Sequence, residues 1–244
     1  MTARRAAILI GVLSAVWLAT LLGCSTATRF AVGSDGSGQM QLHLALDPFL
    51  VTFLGGLTDG NGKSLSGQLP DATEIRKELS ELPGVTVRSV AAAPSGTFDI
   101  DLAFTDITKI VTQGLEDPFV FSTSADGTHT LTMTFSVMSW SSFLAIPALG
   151  FNYVVAQFSP TPGHGMDENM YRDWVSYSLS ADPARRSEVA SALDHSRIVV
   201  TVVVDGSIVS QTGGTTNGNS VTYSFPLVEL ATTGGPIVCS VSFR

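Results

Sequence analysis

Two cysteines, four histidines and a few paired carboxylates are the residues of this 244-residue chain that could do chemistry. Asp99 and Asp101 alternate with Phe98, Ile100 and Leu102, so both carboxylates share one face of a strand, about 7 Å apart. In a cleft such a pair can exchange protons with a substrate. On the solvent side of a half-buried sheet the same spacing serves solubility, and that is the expectation here. His43 falls on the polar face of residues 40–46, opposite Leu42 and Leu44, and reads as a solvated or hydrogen-bonded imidazole. His129 opens a strand beside Gly127 and Thr128 and reads the same way. His164 lies near Asp167 and Glu168, but His-x-x-Asp-Glu is not a metal-ligand spacing, and further ligands would have to converge from elsewhere. The acids better suit the first turn of a helix. No Gly-x-Ser-x-Gly elbow occurs. Gly33, Gly36 and Gly38 precede a strand, without the spacing that cradles a phosphate at a helix start. The sequence therefore predicts no enzyme: no catalytic residues, no cofactor and no metal site.

Cys24 is different. Arg4 and Arg5 precede an uncharged stretch, residues 6–23, the charged-then-apolar layout of a secretory signal. An ordinary signal peptide or a transmembrane helix shares that layout and has about that length. Neither accounts for a small residue followed by a cysteine at its end. Leu21-Leu22-Gly23-Cys24 resembles the lipobox of bacterial lipoproteins. The resemblance implies diacylglyceryl transfer to the Cys24 thiol, cleavage after Gly23 and acylation of the new amino group. Each chain contributes about 0.8 kcal/mol per buried CH₂, so two or three hold a domain firmly on a bilayer. The implied location is the extracytoplasmic side of a cell-envelope membrane. Ser25, where an aspartate commonly signals inner-membrane retention, is compatible with the outer membrane of a Gram-negative cell.

Loss of residues 1–23 removes Arg4 and Arg5, leaving 11 basic against 21 acidic residues and a net charge of −10. That excess argues against nucleic acid as a partner and against electrostatic adhesion to anionic lipid. With Cys24 lipidated, Cys239 has no disulfide partner. Its alternation with Ile237, Val241 and Phe243 makes it a small buried hydrophobe.

The remaining elements must position whatever site exists. After a tether, residues 24–28, alternation and turn residues predict a hairpin from residues 29–32 and 40–46 around the glycine-rich loop. Residues 85–90 and 98–104 pair through Pro94-Ser95-Gly96, and residues 119–124 and 130–135 flank Asp126-Gly127. Asp205-Gly206 and Asn217-Gly218 repeat the device between residues 198–204, 208–210 and 221–225, so antiparallel pairing is expected throughout. Asp71 to Glu74 has capping-box spacing ahead of Ile75, Leu79 and Leu82. Met166, Met170, Trp174 and Tyr177 recur at helical spacing. Asp182-Pro183 caps a further helix burying Val189 and Leu193. Short helices are expected at 48–54 and 107–113. Residues 137–158 carry no charge: a membrane span has this length, but dispersed polar residues favour a buried or kinked helix, or a hairpin covering the sheet. Functionally the segment would be an apolar lid over a lipid-sized cavity.

The order of Asp35-Gly36-Ser37-Gly38, Leu82-Pro83-Gly84-Val85, the strand from Gly96 to Leu102, residues 202–209 and residues 217–223 resembles the LppM-type lipoprotein domain of mycobacteria and related envelope proteins. The match covers about residues 28–135 and 196–243, interrupted by a helical insertion at about 137–195. The resemblance implies an α+β domain, a curved antiparallel sheet packed against several helices, and for some members the binding of phosphoinositide-type glycolipids. The expectation is a signal helix, residues 1–23, then the tether and a single α+β domain, residues 29–244, whose core is one sheet of roughly eight to ten strands. The function expected is an anchored envelope lipoprotein that binds a lipid or glycolipid without catalysis. The alternative is a scaffold or accessory lipoprotein with no small ligand; the identity of any protein partner is not encoded in these motifs.

Overall fold

The computed structural model describes residues 24–48, 51, 72–110, 119–135, 165–180 and 182–244. The expected signal segment (residues 1–23), residues 137–158 and His164 lie outside them, as do Asp71, most of the helix expected at 48–54 and residues 111–113 of the one expected at 107–113.

Alternating segments become strands because one row of each is apolar and finds a core. The order is β1 (Cys24–Val32), β2 (Gly38–Leu46), α1 (Ala72–Ser80), β3 (Val85–Ala93), β4 (Thr97–Phe104), a 3₁₀ turn (Ile107–Lys109), β5 (Phe119–Thr123) and β6 (His129–Phe135). Then come α2 (Glu168–Leu179), α3 (Pro183–His195), β7 (Arg197–Val204), β8 (Ile208–Thr212), β9 (Thr215–Asn217), β10 (Ser220–Pro226), α4 (Leu227–Thr232) and β11 (Ile237–Phe243). The fold is mixed, mostly sheet with a few helices.

Two open sheets replace the single one expected. Seven strands run β3-β4-β2-β1-β7-β10-β9, and four run β5-β6-β11-β8. Three hairpins read from turn residues form as expected, β1/β2, β3/β4 and β5/β6; Asn217-Gly218 joins β10 to β9 and not to residues 208–210, which enter the other sheet. Asp205-Gly206 does not make one. There the chain leaves β7 for β8 in the other sheet, because the turn's backbone is claimed elsewhere. Asp205 N–H donates to the Val32 carbonyl at 3.1 Å, and Ser207 exchanges two hydrogen bonds with Arg244. Nor is all pairing antiparallel: β1 and β7 run parallel, Ser25 opposite Arg197 through Val32 opposite Val204. The β1 edge left open by its hairpin is filled by a strand arriving after the helical segment, the long connection parallel pairing requires. The expected tether is also absorbed, since β1 starts at Cys24 and pairs from there.

The core lies between the inner face of the seven-stranded sheet, the four-stranded sheet and the helices. Phe30 meets Phe119 edge-on at 5.4 Å between ring centroids, and Phe135 meets Phe225 at 5.1 Å. Tyr223 of β10 donates its hydroxyl to the Ser240 carbonyl of β11 at 2.9 Å, tying one sheet to the other. Ile75, Leu79, Val189 and Leu193 are buried as expected. In α2 the buried positions are instead Tyr171, Val175, Ser176 and Leu179, while Met170 and Tyr177 are exposed. Asp167 caps the helix, accepting from Met170 N–H at 2.9 Å. Tyr177 then lies outside, under the Arg186 guanidinium.

Gly38 opens β2 where β1, β2 and β4 meet. A Cβ there would run into the Ala31 carbonyl oxygen and come within 2.8 Å of the Phe104 ring. Gly38→Ala is expected to cost about 1–3 kcal/mol, read as a lower urea midpoint at unchanged slope. In the β5–β6 turn Asp126 accepts from Ser124 Oγ at 2.5 Å and from Thr128 N–H and Oγ1, and pairs with Arg244. These bonds, Ser124 foremost, hold its carboxyl well below the usual carboxylate range. A folded-state pKa below the unfolded one stabilises at neutral pH, and the benefit is lost as pH falls through and below the ordinary carboxylate range. The gap in melting temperature between wild type and Asp126→Asn should therefore shrink from pH 7 to pH 3.

Candidate functional site

The outer face of the seven-stranded sheet carries the side chains that alternation sent away from the core. Register lines them up in rows across the strands. Ser89 lies opposite Asp101, Asp101 opposite Gln41, Gln41 opposite Arg29, and Arg29 opposite Thr201. Two residues along, Asp99 faces His43, His43 faces Ala27, and Ala27 faces Val199. Ala27 offers only a methyl between longer neighbours. Around it lies an open concavity of about 430 Å³ lined by both rows.

His43 Nδ1 and Asp99 Oδ1 stand 2.7 Å apart, directly across β2 and β4. Both are more than half exposed, so the pair is worth at most about 1 kcal/mol to the fold. Asp101 is different: its Oδ1 is buried and accepts no hydrogen bond from the described residues. A buried carboxylate oxygen without a donor is costly, and it is satisfied when a ligand or water donates to it. A bulge in β3 between Val87 and Ser89 brings Ser89 opposite this carboxylate. Among the described residues Arg29 forms no ion pair, so its guanidinium is free for an anion or a hydroxyl. Together the face offers a cation, two carboxylates, an imidazole, an amide and several hydroxyls. That mixture of donors and acceptors suits a polyhydroxylated or phosphorylated group better than an acyl chain.

The paired carboxylates read from sequence are thus on one face, but with separate tasks. Asp99 is tied to His43, and Asp101 keeps an unmet acceptor. Arg29, Gln41 and Thr201 were not singled out from the sequence. The Arg29–Gln41 pairing follows from the first hairpin, whereas Thr201 enters only through the parallel β1–β7 contact.

The other candidates stand apart. His129 stacks on Phe121 and meets Thr123 Oγ1 at 3.0 Å. In the glycine-rich loop Asp35 accepts from Ser37 N–H and Oγ, which pulls its carboxyl below its ordinary value, and Gly36 O accepts from Ile107 N–H. That loop's polar groups are spent on closing a turn. Cys239 is buried, and burial pushes its thiol up to about 11. Among the described residues no three His, Cys, Asp or Glu side chains gather to hold a metal, and no helix is long and apolar enough to cross a membrane. Cys24 heads β1, at the end of the same sheet.

No protein-family model and no curated protein matches the sequence. Among solved structures, the chain is similar to the folded domain of the Mycobacterium tuberculosis LppM protein, determined by NMR. The TM-score is 0.41 and the identity 11%, over 91% of this chain and 90% of that one. Neither ligand nor site residues transfer from a likeness of that degree.

Proposed function

We propose that this protein is a lipoprotein of the bacterial cell envelope, anchored through Cys24, whose exposed sheet face binds the polar headgroup of an envelope lipid or glycolipid without catalysing a reaction. The anchor rests on the basic, apolar and Leu-Leu-Gly-Cys sequence at residues 4–24. The observation that carries the binding reading is the unmet Asp101 Oδ1 in a concavity shared with Arg29 and the His43–Asp99 pair. The volume is within the range of about 300–1,000 Å³ usual for small-molecule sites. Such sites are usually closed, whereas this one is open and carries Arg29, Asp99 and Asp101 among its lining residues, which favours a headgroup over a buried chain. Sugar hydroxyls would donate to Asp101 and accept from Arg29 and Gln41.

Native mass spectrometry of the detergent-extracted protein tests this. A co-purifying glycolipid is expected, and Arg29→Ala or Asp101→Ala should each weaken it about tenfold, the worth of one charge-assisted hydrogen bond. No bound lipid, or binding indifferent to both substitutions, defeats the reading. A scaffold lipoprotein without ligand is favoured by a different observation: Val120, Val209 and Val238 of the four-stranded sheet are all exposed. Cross-linking on intact cells separates the two, since only a scaffold gives a discrete adduct dependent on those valines.

A further inference from the structure

We propose that the protein stands upright on its membrane, with the Cys24 end of the seven-stranded sheet seated on the lipid headgroups. This rests on the lipidation of Cys24 proposed above, and it adds an orientation and a surface. β1 begins at Cys24, which pairs with Leu46 of β2, and Ser25 already pairs with both Ala45 and Arg197. Residues 25–28 are bonded on both edges, in the middle of the sheet. A flexible linker would let the domain wander by about 5–6 Å times the square root of its length in residues. Here no slack residue separates the acylated one from a central strand, so the acyl chains hold the sheet itself.

Register then identifies what touches the headgroups. Level with Cys24 and Ser25 are Leu46, the Pro94-Ser95-Gly96 turn, Arg197 and Pro226. Gly96 O accepts from Leu46 N–H at 3.0 Å, which fastens that turn to the end of β2. Arg197 reaches Ser224 Oγ at 3.1 Å, and Asp47 is the carboxylate next to this rim. The far end carries Asp35, Asp106 and Asp205. Strand rise puts Ala27 and Arg29 about 10–17 Å along β1 from Cys24, and Val32 about 27 Å. The candidate binding face therefore meets headgroups projecting from the leaflet that holds the anchor.

The test uses the full-length lipoprotein in phosphatidylcholine–phosphatidylglycerol vesicles that carry a headgroup nitroxide lipid. A fluorophore is attached through Ser95→Cys or through Ser34→Cys, both exposed sites; the buried Cys239 thiol stays unlabelled, as the wild type will show. Quenching is expected to be several-fold stronger at position 95 than at position 34. Six Gly/Ser residues inserted after Cys24 should erase that difference. Equal quenching in the native chain, or a difference that survives the insertion, overturns the upright seat. If Cys24→Ser, exported behind a non-lipoprotein signal peptide so that residues 1–23 are absent, still co-sediments with vesicles, the lipidation reading itself has failed. If co-sedimentation needs Cys24 but both dyes quench alike, only the orientation has failed.

Discussion

Cells fed radiolabelled palmitate are expected to label the wild-type protein; Cys24→Ser should abolish the label, and the same variant exported behind a non-lipoprotein signal peptide in place of residues 1–23 should be recovered in the soluble fraction instead of the membrane. The expected effect is nearly complete because of the arithmetic of burial. At about 0.8 kcal/mol per CH₂, a single myristoyl chain gives only marginal binding, whereas two or three longer chains give stable anchoring. With residues 1–23 removed, nothing else described here would replace them: the chain is acidic, and among the described residues no helix can cross a bilayer. Serine keeps the size and the strand geometry of the site, and Ser25 already sits in β1 beside it. The soluble variant should therefore melt as the wild type does. Label retained on the variant, or an unchanged membrane fraction, would remove the basis for an anchored protein.

The second large effect is on the fold. Tyr223→Ala is expected to cost about 3–5 kcal/mol, the range for removing a large buried aromatic side chain. Tyr223 has no exposed surface, packs on the inner face of β10, and bonds through its hydroxyl to β11 in the other sheet. Burial also pushes its phenol well above the ordinary value, so it stays protonated and remains a donor. Tyr223→Phe keeps the ring and loses only that bond, for about 1 kcal/mol. Urea unfolding followed by both tryptophan fluorescence and circular dichroism checks this. Coincident transitions show that the two sheets unfold as one unit. An alanine variant within 1 kcal/mol of wild type would mean that the sheets do not depend on this contact.

What the sequence disclosed was local. Alternation and glycine turns were enough for β1/β2, β3/β4 and β5/β6, because each hairpin is specified within a few residues of its turn. Asp205-Gly206 and Asn217-Gly218 look alike as dipeptides and behave differently. The first is decided by Val32 and Arg244, partners far away in the chain. The same limit hid the division into two sheets and the parallel β1–β7 contact. In α2 the apolar residues supported two stripes, and packing against α3 and α4 buries the one with Tyr171, Val175 and Leu179. At the site, Asp99 and Asp101 were visible as a pair on one face. That His43 would answer Asp99, while Asp101 kept a buried oxygen unmet, depended on the β2–β4 register and the β3 bulge.

β11 lies between β6 and β8, and it is built from residues 237–243, almost the last of the chain. The smaller sheet has no centre until those residues arrive, and the larger one joins residues 24–32 to residues 197–204. Pairing across such separations is slow to nucleate. A polypeptide with this wiring cannot lock into shape while part of it is still being delivered. Its two sheets close only once residues 197–204 and 237–243 have reached strands made far ahead of them.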